Sequence, residues 1–199
     1  MDFGGVLAEE GFREGLQELA RSAGLSEQQF FAVAAETAFE SGFVTGAITE
    51  PAYWELVRQR TGINGSDSEF RQTILKRFVL RPWMLETVRA LRAKGYLVAI
   101  LSDQTGWLDE LDARDGFFQE FDAVFNSYHL GKSKRDPEVF VEVAETLGLP
   151  PANMLFVDDN PENVARARGQ GLHGIHYQDR ERFLQQLEEW CSSAGEGNS

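Results

Sequence analysis

The 199-residue chain predicts an α/β fold in which a parallel sheet, covered by helices on both faces, carries an α-helical bundle inserted near its start. Three observations lead there. Residues 8–79 hold helical periodicity without a strand pattern between. From Pro82 onward, short apolar runs alternate with amphipathic stretches. Each of those runs is followed at once by polar residues able to do chemistry.

The elements follow in order. Phe12, Leu16, Leu19 and Ala23 share one stripe of a helix over residues 9–23. Ser26 and Gln29 have capping-box spacing and open a helix through Phe39, which Gly42 stops. A third helix is expected from Glu50 to Arg60, with Pro51 in its first turn and Tyr53, Trp54 and Val57 apolar. Ser66 and Glu69 repeat the capping spacing before a fourth, from Asp67 to Phe78. After Pro82 a helix carrying Met84, Leu85, Val88 and Leu91 stops at Gly95, and Tyr96–Leu101 reads as a buried strand. There follow a helix near Trp107–Leu111, a strand over Ala123–Asn126, a helix from Pro137 to Leu147 and a strand over Met154–Val157. A helix over Pro161–Arg168, a strand near Gly174–His176 and a last helix with Phe183, Leu187 and Trp190 complete the alternation. The expected division is a core of residues 1–7 and 80–191, a helical insertion over 8–79 and a disordered tail over 192–199.

Composition narrows the function. With 32 acidic against 19 basic residues the formal charge is -13, and no stretch is basic enough to neutralise several backbone phosphates, so nucleic acid is not an expected partner. The apolar runs fall far short of the roughly 18 residues that span a bilayer, and no signal-peptide pattern opens the chain. A soluble, cytoplasmic protein without a membrane partner is expected. The single cysteine, Cys191, makes no internal disulfide.

Ligands bind open parallel sheets at the carboxyl ends of the strands. Those ends read Ser102-Asp103 after Leu101, Gly131-Lys132-Ser133-Lys134-Arg135-Asp136-Pro137 after Asn126, and Asp158-Asp159 after Val157, while Asp2 opens the chain. Carboxylates, a hydroxyl and an ammonium would meet at one edge. Clustered carboxylates repel unless a cation sits among them, and hard oxygen ligands suit magnesium better than zinc. Such a site with Lys and Ser donors handles phosphoryl groups. Simpler readings exist: Asp158-Asp159 before Asn160-Pro161 suits a helix cap, and Lys134 alone suits a surface. Gly131-Lys132-Ser133 is not a phosphate-binding P-loop, because position 126 is Asn where that motif needs Gly. His173 and His176, three apart on a strand, face opposite ways and do not pair on a zinc ion.

The segment Asp2-Phe3-Gly4-Gly5-Val6-Leu7, then Ser102, then Lys134 with Arg135-Asp136-Pro137, then Phe156-Val157-Asp158-Asp159-Asn160-Pro161-Glu162-Asn163, resembles the four motifs of the haloacid dehalogenase-like hydrolase superfamily. Their order resembles the branch with a helical cap between the first and second motifs, built on a Rossmann-like three-layer core. The resemblance implies a magnesium-dependent phosphatase acting on a small phosphorylated metabolite, such as a sugar phosphate. It makes Asp2 the nucleophile that becomes an aspartyl phosphate. Magnesium would be held by Asp2, the Gly4 carbonyl and Asp159, with Asp158 acting through coordinated water and Asn163 orienting the acidic pair. Ser102 would donate to a phosphoryl oxygen and Lys134 would neutralise charge and tether Asp2. Asp103 and Trp107 are candidate substrate contacts.

Two departures from that pattern stand out. Gly4 occupies the place where most phosphatases of the superfamily carry a second Asp, the acid that protonates the leaving group; some phosphatase-like members share the Asp-x-Gly pattern. Family members also have a buried strand ending in the nucleophile, which leads to the expectation of an apolar run encoded upstream of Met1. The rival readings are a metal-independent 2-haloacid dehalogenase, whose fourth motif lacks the double Asp, and a low-activity phosphate-binding or interaction protein.

Overall fold

The computed structural model describes residues 1–196. It divides into two compact units, one of residues 3–133 and one of Met1–Asp2 with the chain from Lys134 onward.

The unit of residues 3–133 begins with a tight loop in which the Phe3 carbonyl accepts from the amides of Val6, Leu7 and Ala8 at 3.3, 2.8 and 2.9 Å. Gly5 takes the turn at φ 77°, a left-handed value that a Cβ would oppose. Four helices follow, α1 (Gly11–Ser22), α2 (Glu27–Glu40), α3 (Glu50–Thr61) and α4 (Asp67–Leu75). The Ser66–Glu69 box forms in full, with Ser66 Oγ accepting from Glu69 N and Glu69 Oε2 accepting from Ser66 N. At Ser26 only the half in which the hydroxyl accepts from Gln29 N, at 3.4 Å, is seen among the described contacts. Helix α4 ends at Leu75 rather than running on to Phe78, because the Arg114 guanidinium takes the carbonyls of Leu75 and Phe78 at 3.0 and 2.8 Å. Helix α5 (Pro82–Ala93), strand β1 (Ala99–Ser102), helix α6 (Trp107–Asp115), strand β2 (Ala123–Asn126) and the short helix α7 (Ser127–Leu130) complete the unit. Strands β1 and β2 pair in parallel, Ala99 with Ala123 through Ser102 with Asn126. The strand expected from Tyr96 starts only at Ala99: Leu97 is exposed, and the Val98 amide bonds to the Asp122 carboxylate at 2.8 Å instead of to a neighbouring strand.

The other unit holds α8 (Glu138–Leu147), β3 (Leu155–Asp158), α9 (Pro161–Gly169), β4 (His173–His176) and α10 (Arg180–Glu196). Strands β3 and β4 also pair in parallel, Leu155 with His173 through Asp158 with His176. Phe140, Phe156, Val157, Val164, Ile175 and Phe183 fill its core. The parallel strands with helices between them are the α/β class read from the sequence, here as two two-stranded sheets. Helix α10 carries the chain to Glu196, into the stretch expected as a disordered tail, and is anchored by buried Phe183 and Leu187; residues 197–199 lie outside the described residues. The Met1 amino group is buried, which draws its pKa down to about 5. No helix among the described residues is long and apolar enough to cross a membrane.

Candidate functional site

Strand β3 builds the site. Phe156 and Val157 are buried, so the strand enters the core and delivers Asp158 to its carboxyl end with 0% exposure. The chain must then turn at once. Asp158 Oδ1 accepts from Asn160 N at 2.7 Å, Asn160 Oδ1 accepts from Glu162 N at 2.9 Å, and Pro161 starts α9. The helix-cap reading of Asn160-Pro161 therefore holds, and the same turn leaves the two aspartates at the end of β3. The first turn of α9 brings Asn163 back so that its Nδ2 donates to both Asp158 oxygens, at 3.3 and 3.2 Å.

Residue 2 joins the same edge. The Asp2 amide donates to the Val157 carbonyl at 2.8 Å, which sets the Asp2 side chain beside the end of β3. Lys134, 2% exposed, donates to Asp158 Oδ2 at 2.6 Å and pairs with Asp2 Oδ1 at 2.9 Å. The expected tether of Asp2 is thus a bridge between two carboxylates, and the surface reading of Lys134 is excluded by its burial.

Asp2, Asp158 and Asp159 each offer an oxygen within 4.8 Å of the others. The Lys134 ammonium bridges two of these three carboxylates. The imbalance shows in the acids: burial, then the charges of Asp2 and Asp158, push Asp159 up to about 6. Asp158 is raised too, by burial and then the charge of Asp2, with Lys134 opposing. Converging hard oxygens with excess negative charge fit a small divalent cation, and no nitrogen or sulfur donor belongs to the cluster.

The remaining candidates belong to the other unit. Ser102 ends β1 with 0% exposure, and its hydroxyl accepts from the amide of Phe3, the residue after Asp2, at 3.4 Å. Asp103 is half-buried directly after it, and Gly4 is buried within the opening loop. Trp107 is not placed as a substrate contact: it is 4% exposed and its indole N–H donates to Glu50 Oε2 at 3.0 Å, a structural bond.

Two polar supports were not read from the sequence. Arg166 donates to Asn163 Oδ1 at 2.8 Å, one helical turn on, and the i, i+3 spacing was the available signal. His176, opposite Asp158 in the β3–β4 register, has Nε2 at 3.0 Å from the Asp159 carbonyl; only the register reveals it. His173 instead packs against Trp190, at 6.2 Å between rings, and joins no metal cluster among the described residues.

The model of one protein family, haloacid dehalogenase-like hydrolase, matches residues 2–171. The chain belongs to the haloacid dehalogenase-like hydrolases. Among relatives of this hydrolase, the bifunctional epoxide hydrolase 2 of Rattus norvegicus is 34% identical over 133 residues, covering 63% of this chain and 24% of that one. The chain thus spans about a quarter of the length of the first curated relatives it matches. The sesquiterpene phosphatase astK of Aspergillus oryzae is 29% identical over 142 residues, 69% of this chain and 71% of that protein. Among solved structures, the haloacid dehalogenase family enzyme bt-2542 of Bacteroides thetaiotaomicron, in complex with magnesium and inorganic phosphate, superposes with a TM-score of 0.70 at 23% identity. That superposition covers 89% of this chain and 91% of the other. At that identity it shows a shared fold.

Proposed function

We propose that this hydrolase is a magnesium-dependent phosphatase that acts on a small phosphorylated metabolite through an aspartyl phosphate at Asp2. The observation that carries the reading is the meeting of the Asp2, Asp158 and Asp159 oxygens within 4.8 Å, with Lys134 bonded to two of the three side chains. A sesquiterpene phosphatase among its relatives, and a fold neighbour that holds magnesium and inorganic phosphate, support it. Residues 8–79 are proposed as the helical cap, inserted into a core of 1–7 and 80–191, in a cytoplasmic protein.

Asp2, Asp158 and Asp159, with the Gly4 carbonyl, would hold the ion. Magnesium, when bound, supplies positive charge to the phosphoryl oxygens and to the carboxylates around it. Lys134 pairs with Asp2 Oδ1 and holds the carboxylate in place, and an Asp2 oxygen attacks phosphorus. Asn163 and Asn160 N fix Asp158 in one orientation. Ser102, by its place in the motif order, donates to a transferring oxygen. A loose phosphoryl transition state asks for this kind of fixed positioning more than for covalent chemistry by the protein. The test is a panel of phosphate monoesters assayed with magnesium and with chelator, for the wild-type chain and Asp2→Asn. Phosphate release that needs magnesium and disappears in Asp2→Asn is expected. Turnover that persists in chelator, or chloride released from 2-chloropropionate, would overturn the reading.

A further inference from the structure

Asn163 carries a choice that its own shape does not settle. The oxygen and nitrogen of a carboxamide are nearly alike in size, so the neighbours of this buried side chain decide which atom faces the acids. One neighbour, Asp158, only accepts when ionised; the other, Arg166, only donates. Asn163 Nδ2 donates to Asp158 Oδ1 and Oδ2 at 3.3 and 3.2 Å, and Asn163 Oδ1 accepts from Arg166 Nη1 at 2.8 Å. Turned over, the amide would set its oxygen against the carboxylate and its N–H groups against the guanidinium, and every one of these bonds would be lost.

The line of bonds continues inward. Asp158 also accepts from Asn160 N on Oδ1 at 2.7 Å and from Lys134 Nζ on Oδ2 at 2.6 Å, and Lys134 in turn pairs with Asp2 Oδ1 at 2.9 Å. Arg166, Asn163, Asp158, Lys134 and Asp2 thus form an unbroken series in which donors and acceptors alternate, and all of them lie in one compact unit. Its outer end is fixed as well: Arg166 stands one turn after Asn163 on α9, its side chain is 27% exposed, and its Nη2 donates to Glu162 Oε2 at 3.0 Å. An ordinary arginine on a helix surface pairs with an acid one turn back. This one also turns a second nitrogen onto a buried amide.

We propose that Arg166 is a positioning residue for the magnesium site: it holds the Asn163 amide with its nitrogen toward Asp158 and so keeps the carboxylate cluster set for the ion, a role that rests on the reading of Asp2, Asp158 and Asp159 as that site. Its side-chain bonds go to Asn163 and Glu162, so its influence on the cluster runs through the amide. Its charge works against the role. A guanidinium beside an anionic cluster repels a cation, so by charge alone its removal would tighten magnesium binding. By positioning, its removal weakens binding, and the sign of the change separates the two.

Calorimetric titration of magnesium into the whole chain, at one pH and ionic strength, reads that sign, and phosphate-ester hydrolysis is followed in parallel. Groups that orient metal ligands from behind contribute roughly 10- to 100-fold in affinity. Arg166→Met, which keeps the aliphatic stem and no donor, is expected to weaken magnesium binding about tenfold. Arg166→Lys, which keeps a donor, is expected to recover most of that loss. Glu162→Ala, which removes the surface pair and leaves the bond to Asn163, is expected to bind magnesium as the wild type does. Unchanged or tighter binding in Arg166→Met, or an equal loss in Arg166→Lys or Glu162→Ala, would overturn the assignment while leaving the phosphatase reading in place. The expected pattern in a chain that hydrolyses no ester would uphold the assignment and overturn the phosphatase reading. A wild-type chain that binds no magnesium would overturn both.

Discussion

Lys134 shows at the scale of one residue how the site is balanced. Its ammonium is 2% exposed, a placement that is costly without a partner, and it is matched to two carboxylates at 2.6 and 2.9 Å. Burial first, and then the charges of Asp2 and Asp158, hold the proton on the Asp159 carboxyl, whose pKa stands at about 6 against an ordinary value near 3.9. The folded chain holds that proton more tightly than the unfolded chain does. Stability contributed by the proton is therefore present below about pH 4 and is lost as pH rises through about 6. A divalent cation relieves the same repulsion only once the proton has gone. Thermal melting is thus expected to show a larger upward shift on adding magnesium at pH 7.5 than at pH 5. Equal shifts at the two pH values would mean that Asp159 does not see the ion. Asp2, Asp158 and Asp159 were legible as candidates because each follows an apolar run or opens the chain, and Lys134 because the order of the motifs singles it out from a loop that alone suits a surface. Arg166 and His176 were not, since an arginine on a helix and a histidine on a strand acquire meaning only from the helical turn and the strand register that bring them in.

Among the elements, α1 packs closely on α4 and on the Phe78 that follows it. A Cβ on Gly15 would come within 2.5 Å of the Ile74 Cα, and one on Gly11 within 2.5 Å of the Phe78 ring. Both glycines lie on a helix, so they serve close approach rather than an unusual backbone angle, and the helix bears their conformational cost for that contact. Gly15→Ala is expected to lower stability by about 1–3 kcal/mol through overpacking, outweighing the gain in helix propensity. Urea denaturation measures it, and a neutral or stabilising result would show that α1 can move away from α4 without loss. Arg81 works similarly for the opening loop: its guanidinium donates to the carbonyls of Gly5 and Val6 at 2.6 and 3.0 Å and pairs with Glu9. The helices were legible from their stripes and caps to within a few residues. The errors fall where a side chain intervenes in the backbone, as Arg114 does after Leu75 and Asp122 does before Ala99. Such long-range bonds have no local signature.

For the whole molecule, the fold class and the identity of the strand ends followed from alternation of apolar runs, because that pattern depends on local burial alone. The closing of residue 2 onto residues 134, 158 and 159 did not; it was carried by resemblance, and the structure supplies its physical form, an amide of Asp2 bonded to the end of β3. A chain of charge -13 repels a phosphate ester at long range, so local positive charge must draw one in. Lys134 is already committed to two carboxylates, which makes a bound cation the central requirement. Calorimetric titration of magnesium into the whole chain measures it most directly. One ion per chain is expected, taken up with release of protons near pH 6, and Asp159→Asn is expected to weaken binding at least tenfold. Binding of equal strength in Asp159→Asn, or no binding to the wild-type chain, would contradict the account.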